Sequence, residues 1–315
     1  VTGVQTCALP ILEKLYFKEV ISVLGYNFKN YSSLESDMSE SRSVNYGIDC
    51  IGKDEKFKPK KSTFVHFTNL KSLTSILTEK SIRLYNVNGM NDISEINHYS
   101  EKYKVSSETI RQFKDNVFIM SSCSSDILDT EDELTLWRLY GNEGNGCCIE
   151  FEFIQESYST NLHRYNIVYA DNYDDKIDVF FDKHNEFHEK YKPFNINADK
   201  FILDLSVFHK SKHFKIEKEE RLFCCKYPNE FKEIFWDFNS KNKFVSYVKI
   251  PLNYSVNKKY FESSNITPRI KIKKIIFGHK ISKLNKNEEV NLLSKYFNSD
   301  KDLPIIGYSP LTFYN

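Results

Sequence analysis

Four short segments carry residue types and spacings that can do chemistry. The first, His66-Phe67-Thr68-Asn69-Leu70, closes an apolar run and leads into a helical pattern. A His at a strand end presents a ring nitrogen, and Thr68 a hydroxyl, to a ligand lying across that end. The same residues also suit a hydrogen-bonded structural His and a helix cap. The second, Asn91-Asp92-Ile93-Ser94-Glu95, reads as loop-to-helix capping. In the third, Trp137-Arg138-Leu139-Tyr140-Gly141, two aromatics stand three apart. On a helix both face one side, where they stack on a flat ring or fill the core. The fourth, Phe214-Lys215-Ile216-Glu217-Lys218-Glu219-Glu220-Arg221, repeats Glu217, Glu219 and Arg221 with a period of two. On a strand that period puts two carboxylates and a guanidinium on one face. The set is either a surface ion-pair ladder or a site whose carboxylate stabilises a developing cation and orients a ribose hydroxyl.

Other chemistries lack their signatures. The sequence has no Gly-x-Gly-x-x-Gly, no Gly-Lys-Ser/Thr and no Gly-x-Ser-x-Gly. His184 with His188 and His209 with His213 are each four apart, which on a helix aligns a pair, but no third metal ligand lies nearby. No metal is expected, and a nuclease reading lacks a metal-binding companion for the carboxylates. The cysteines, among them Cys147-Cys148 and Cys224-Cys225, show no Cys-x-x-Cys spacing. Reduced thiols in the cytoplasm are the expectation.

Composition narrows the partners. The 44 basic and 43 acidic side chains leave a formal net charge of +1, without the basic excess that phosphate neutralisation demands of a bulk nucleic-acid binder. Mean hydropathy is −0.51, and no apolar run approaches the roughly 20 residues that span a bilayer. With 20 Tyr and 25 Phe in 315 residues, a core is well supplied.

The elements that must hold the four segments follow from periodicity. Helices are expected at Leu12–Leu24, Lys71–Lys80, Glu131–Tyr140, Lys176–Lys192, Ala198–Lys212 and Asn287–Phe297. Strands are expected at Phe64–Phe67, Ser81–Asn86, Val117–Ser122, Cys147–Phe153, Tyr165–Tyr169, Glu219–Lys226, Lys243–Ile250, Lys271–Phe277 and Ile305–Tyr308. The second pair of central strands, Cys147–Phe153 and Tyr165–Tyr169, reads as a hairpin-like arrangement. Mixed strand order argues for α+β rather than βαβ repetition. Residues 28–62 are polar and aperiodic, a linker after the first helix. Val1–Ile11 is the translation of a common sequencing-adapter sequence and has neither the basic nor the apolar region of a signal peptide. The expected organisation is therefore an artefact at 1–11, a helix and linker at 12–62, and an α+β domain at 63–315.

Taken in order, the four segments resemble a bacterial family, domain of unknown function 2971 (DUF2971). Its pattern runs His-aromatic-Thr, Asn-Asp-x-x-Glu, Ser-aromatic-Ser, Trp-x-x-Tyr-Gly, a Gly-led strand and Glu-x-Glu-x-Arg. This chain supplies His66-Phe67-Thr68, Asn91-Asp92 with Glu95, Trp137 with Tyr140-Gly141, Gly146, Glu217-x-Glu219-x-Arg221 and a closing Ile275-Ile276-Phe277-Gly278-His279-Lys280. It departs at Cys123, where the aromatic is usual, and at Glu220, another usual aromatic. The family is distantly similar to ADP-ribosyltransferases of the His-Tyr-Glu type. That resemblance implies a split, mixed or antiparallel sheet with flanking helices and NAD as substrate. It also implies a role in toxicity or phage defence, with a protein or nucleic-acid acceptor. By the same resemblance His66 and Thr68 hold NAD, Trp137 or Tyr140 stacks on nicotinamide, and Glu219 is catalytic. Glu217 then orients the acceptor and Arg221 supports the carboxylates. The alternative is a ligand-sensing or interaction domain on the same scaffold.

Overall fold

A computed structural model describes residues 5–24, 57–89, 100–154, 162–169, 173–192, 198–225, 234–238, 242–252, 269–297 and 303–311. In chain order the helices are α1 (Gln5–Glu19), α2 (Leu70–Glu79), α3 (Ser107–Asn116), α4 (Glu133–Leu139), α5 (Tyr173–Lys190), α6 (Ala198–Ser206) and α7 (Lys286–Tyr296). The strands are β1 (Thr63–Thr68), β2 (Ser81–Asn86), β3 (Val117–Ser124), β4 (Cys147–Ile154), β5 (Leu162–Asn166), β6 (Val168–Tyr169), β7 (His209–Lys210), β8 (Glu219–Cys225), β9 (Phe235–Phe238), β10 (Phe244–Pro251), β11 (Arg269–Phe277) and β12 (Ile305–Tyr308). The fold is α+β, with a mostly antiparallel mixed sheet.

The chain divides into two compact units, neither contiguous in sequence. One comprises Val1–Lys58, Asp92–Phe113 and Val168–His213, and the other Pro59–Asn91, Lys114–Ile167 and Phe214–Asn315. In the first unit Tyr16 of α1 packs edge-on against Phe187 of α5 and its hydroxyl meets Nδ1 of His184 at 2.8 Å. The expected helix Leu12–Leu24 is therefore α1 followed by a 3-10 turn at Ile21–Leu24. The two His pairs do not form exposed helical faces. His184 is part-buried against Tyr16, and His209 lies on β7, not a helix, with Nδ1 donating to the Leu205 carbonyl at 2.7 Å. Among the described residues no group of three His, Cys, Asp or Glu is placed to hold a metal, and no helix is long and apolar enough to cross a membrane.

The second unit is one ten-stranded sheet with strand order β12-β11-β4-β1-β3-β2-β10-β9, from which β8 and β5 branch at β3. β3 is the reason the sheet forks. One edge pairs with β8 along its length, from Val117↔Cys225 to Cys123↔Glu219. The other edge is shared: its end pairs with β1 at Phe64↔Ser124 and Val65↔Cys123, its start with β2 at Tyr85↔Ile119 and Asn86↔Phe118. One sheet face carries the main core, including Phe64, Phe118, Ile149, Phe151, Leu222 and Val248. The opposite face carries a smaller cluster of Val65, Phe67, Cys123, Trp137, Cys148 and Ile276.

The hairpin expected from Cys147–Phe153 and Tyr165–Tyr169 is absent. β4 pairs with β1 and β11, β5 pairs with β8, and Val168–Tyr169 joins β7 in a separate two-stranded sheet. Alternation reports which face a strand buries and says nothing of its neighbour. The expected Glu131–Tyr140 helix is shorter, with Tyr140 already outside helical geometry at φ −123°. α7 starts at a capping box in which Asn285 and Glu288 exchange hydrogen bonds with each other's backbone N–H.

Candidate functional site

Register fixes which side chains share a face. Val65 pairs with Cys123 and Cys123 with Glu219, so this row points to the side of the smaller cluster. Glu219 and Arg221, two apart on β8, share that face. There Arg221 donates through Nε to Glu219 Oε1 at 2.8 Å and through Nη2 to Oε2 at 3.3 Å, with both side chains only 3–4% exposed. This is a bidentate buried pair, the geometry in which a guanidinium binds a carboxylate most strongly.

Glu217 reaches the same place by a different route from the one its spacing suggests. It ends a 3-10 turn, Lys212–Glu217, and Lys218 then takes a left-handed conformation at φ 42° before β8 begins. The buried Glu217 carboxylate accepts the Tyr140 hydroxyl at 2.7 Å. Burial, that hydrogen bond and the charges of Glu217 and Glu219 push the Tyr140 phenol well above its ordinary range, so it stays a donor. Tyr140, Glu217, Glu219 and Arg221 thus form one cluster, with Cys123 beside them.

The two aromatics of the third segment part company. Trp137 is fully buried, edge-on to Phe67 at 5.0 Å, with Nε1 donating to Glu133 at 2.8 Å. It has no exposed ring face for a nicotinamide to stack on. Tyr140, past the helix end, is 46% exposed. Two glycines make this bend fit: a Cβ on Gly141 would stand 2.4 Å from the Trp137 ring, and one on Gly146 would stand 2.2 Å from the Thr68 carbonyl oxygen.

His66 lies at the fork. The pleat sends Val65 and Phe67, not His66, to the Glu219 face. Its Nδ1 meets the Ser121 carbonyl at 3.0 Å, between the registers of β1 and β2 on β3. A carbonyl only accepts, so Nδ1 carries the proton and Nε2 is the acceptor of the neutral ring. Burial lowers the pKa of His66 and keeps it neutral. Thr68 is buried at the end of β1, opposite Cys147, and Asn69 caps α2 by accepting from Ser72 N–H at 2.8 Å. Asn91–Glu95 lie outside the described residues.

Two features escaped sequence reasoning. Glu220 points to the main-core face, where Arg164 donates to it through Nε at 2.8 Å and also to the carbonyls of Lys61, Ser62 and Thr63. The guanidinium lies 4.9 Å from the Phe64 ring centre. Arg164 is the partner that neutralises a carboxylate buried at position 220. No sequence signal marked it, since Arg164 stands among His163, Tyr165 and Asn166 and before the strand expected at Tyr165–Tyr169. The second is Glu133, buried under Trp137 and Ser309, its carboxyl raised by burial. The buried thiols of Cys147 and Cys148 are raised by burial, the former to about 12, which makes them poor nucleophiles.

Residues 136–222 match the model of a family described as a protein of unknown function (DUF2971). The match takes in Trp137, Tyr140, Gly146, Glu217, Glu219 and Arg221, and leaves His66, Thr68 and the closing strand β11 outside it. No curated protein and no solved structure gives a match.

Proposed function

We propose that this chain, whose residues 136–222 match the DUF2971 family model, cleaves the nicotinamide–ribose bond of NAD in the manner of an ADP-ribosyltransferase. One observation carries the reading: two late carboxylates, Glu217 and Glu219, meet beside a half-exposed Tyr140. Cleavage breaks the C1′–N bond, and its electron pair leaves with neutral nicotinamide. The ribose becomes an oxocarbenium-like cation, which a fixed carboxylate stabilises more than the ground state. Glu219, locked by Arg221, suits that task because its charge needs no reorganisation. Glu217 suits the receipt of the proton from the attacking water or acceptor hydroxyl, and the Tyr140 ring offers a flat surface to nicotinamide. His66, in the fork and off the Glu219 face, does not join the carboxylates, so the reading rests on Tyr140, Glu217 and Glu219. Trp137, buried, does not take part.

A specific observation also favours the second reading, a non-enzymatic scaffold that binds a ligand or partner. Glu219 and Arg221 neutralise each other almost out of reach of solvent, as a structural pair does. Calorimetry with NAD and chromatography of released nicotinamide separate the two. The enzyme reading expects binding, nicotinamide release and a loss of about 10²–10³ in rate in Glu219→Gln. The scaffold reading expects no release by the wild type.

A further inference from the structure

We infer that β9 is a self-association edge, on which a second copy of this chain adds its own β9 in antiparallel register. Among the described residues β9 ends the strand order and pairs only with β10, so none of them takes up the N–H and C=O groups of its other edge, which suit another strand. Trp236 and Phe238 point to one face and are joined there by Phe244, which is paired with Phe238. Trp236 and Phe244 stack at 5.0 Å and 17°, and Phe238 meets Phe244 at 5.3 Å. These rings are 57%, 65% and 56% exposed. They continue the sheet face that Ile234, Val248 and Ile250 bury in the main core, so an apolar layer runs outward onto three exposed rings.

The opposite face of the hairpin is already satisfied. Phe235 stacks on Tyr247 beneath the Lys249 ammonium, Arg83 lies 4.4 Å from the Tyr247 ring centre, and Arg83 pairs with Asp237 at 2.8 Å. Asp237, the one charged residue of Phe235–Phe238, is therefore neutralised within its own chain. Nor does the strand carry the Lys or Pro with which edges usually repel a copy. A dyad at Trp236 keeps facing side chains on one face. It sets Trp236 against the partner's Trp236, Phe238 against the partner's Ile234 and Phe235 against the partner's Asp237, so no like charges meet. A nucleic-acid strand fits less well, because Arg83 and Lys249 lie on the face away from the exposed rings.

Sedimentation equilibrium of the 315-residue chain from about 1 to 100 µM, the range suited to a small interface, tests this. The mass should rise from 37.2 kDa toward twice that, and Trp236 fluorescence should shift to the blue as it rises. Trp236→Lys and Phe238→Lys should each remain monomeric with unchanged far-ultraviolet circular dichroism; if one misfolds, the other decides. Ile305→Lys, on the exposed edge strand β12, should still dimerise. A wild type that stays monomeric, including one whose Trp236 responds only to an added peptide or oligonucleotide, overturns the inference. So does a dimer that Ile305→Lys disrupts and the β9 variants do not.

Discussion

Consecutive residues on β8 send two buried carboxylates to opposite faces, each held by its own arginine: Glu219 by Arg221 and Glu220 by Arg164. Removing one partner from such a pair leaves an uncompensated charge, at a cost of about 3–5 kcal/mol. Glu220→Gln should therefore lower stability by nearly that amount in a urea melt, with little change in any activity of the molecules that remain folded. Tyr140→Phe removes only a hydrogen bond from a half-exposed ring, so its stability should fall by about 1 kcal/mol. On the proposed function its NAD turnover should also fall, because Glu217 loses the hydroxyl that positions it while the ring facing nicotinamide stays; equal turnover would show that the phenol has no part in the chemistry. The pairing of Glu217 with Tyr140 was not legible in the sequence, which set Glu217 on the strand with Glu219. The left-handed Lys218 breaks that period, and no local residue signals it.

At the scale of elements, the site rests on the fork at β3 and on the tight return from α4 into β4. Strand positions were largely legible because β1, β2, β3, β8 and β11 bury alternate or continuous apolar residues. Their neighbours were not, since pairing between segments distant in sequence leaves no periodic trace. That is why the β4–β5 hairpin failed and why His66 was expected beside the carboxylates rather than in the fork. β9 was missed because a four-residue edge strand with three exposed positions resembles a loop. The return itself is unforgiving. Gly146→Ala forces a Cβ to 2.2 Å from the Thr68 carbonyl oxygen, so backbone must move. The variant should lose several kcal/mol, roughly the top of the range for single substitutions, and a loss under about 1 kcal/mol would show that the β1–β4 packing is looser than described.

For the molecule as a whole, the mixed order of strands and helices set the class correctly as α+β, while the division into two non-contiguous units was hidden because each is assembled from separated stretches. The first unit carries a pH dependence of its own. Burial, reinforced by His188, depresses the His184 pKa to about 4, so protonation favours the unfolded chain. Stability is full above the unfolded value near 6.5 and is lost as pH falls toward 4. Discounted for the ring's partial exposure, the loss is about 1–2 kcal/mol, and His184→Asn should flatten the melting temperature against pH over that window. An identical slope in the variant would remove His184 from the account. NAD cleavage is proposed for the second unit, where two adjacent glutamates give the sharpest comparison. Nicotinamide release from NAD should be compared per folded molecule for wild type, Glu219→Gln and Glu220→Gln. The wild type should release nicotinamide, Glu220→Gln should release it at a near-wild-type rate, and Glu219→Gln should lose about 10²-fold or more. Equal rates in all three, or no release by the wild type, would contradict the proposal.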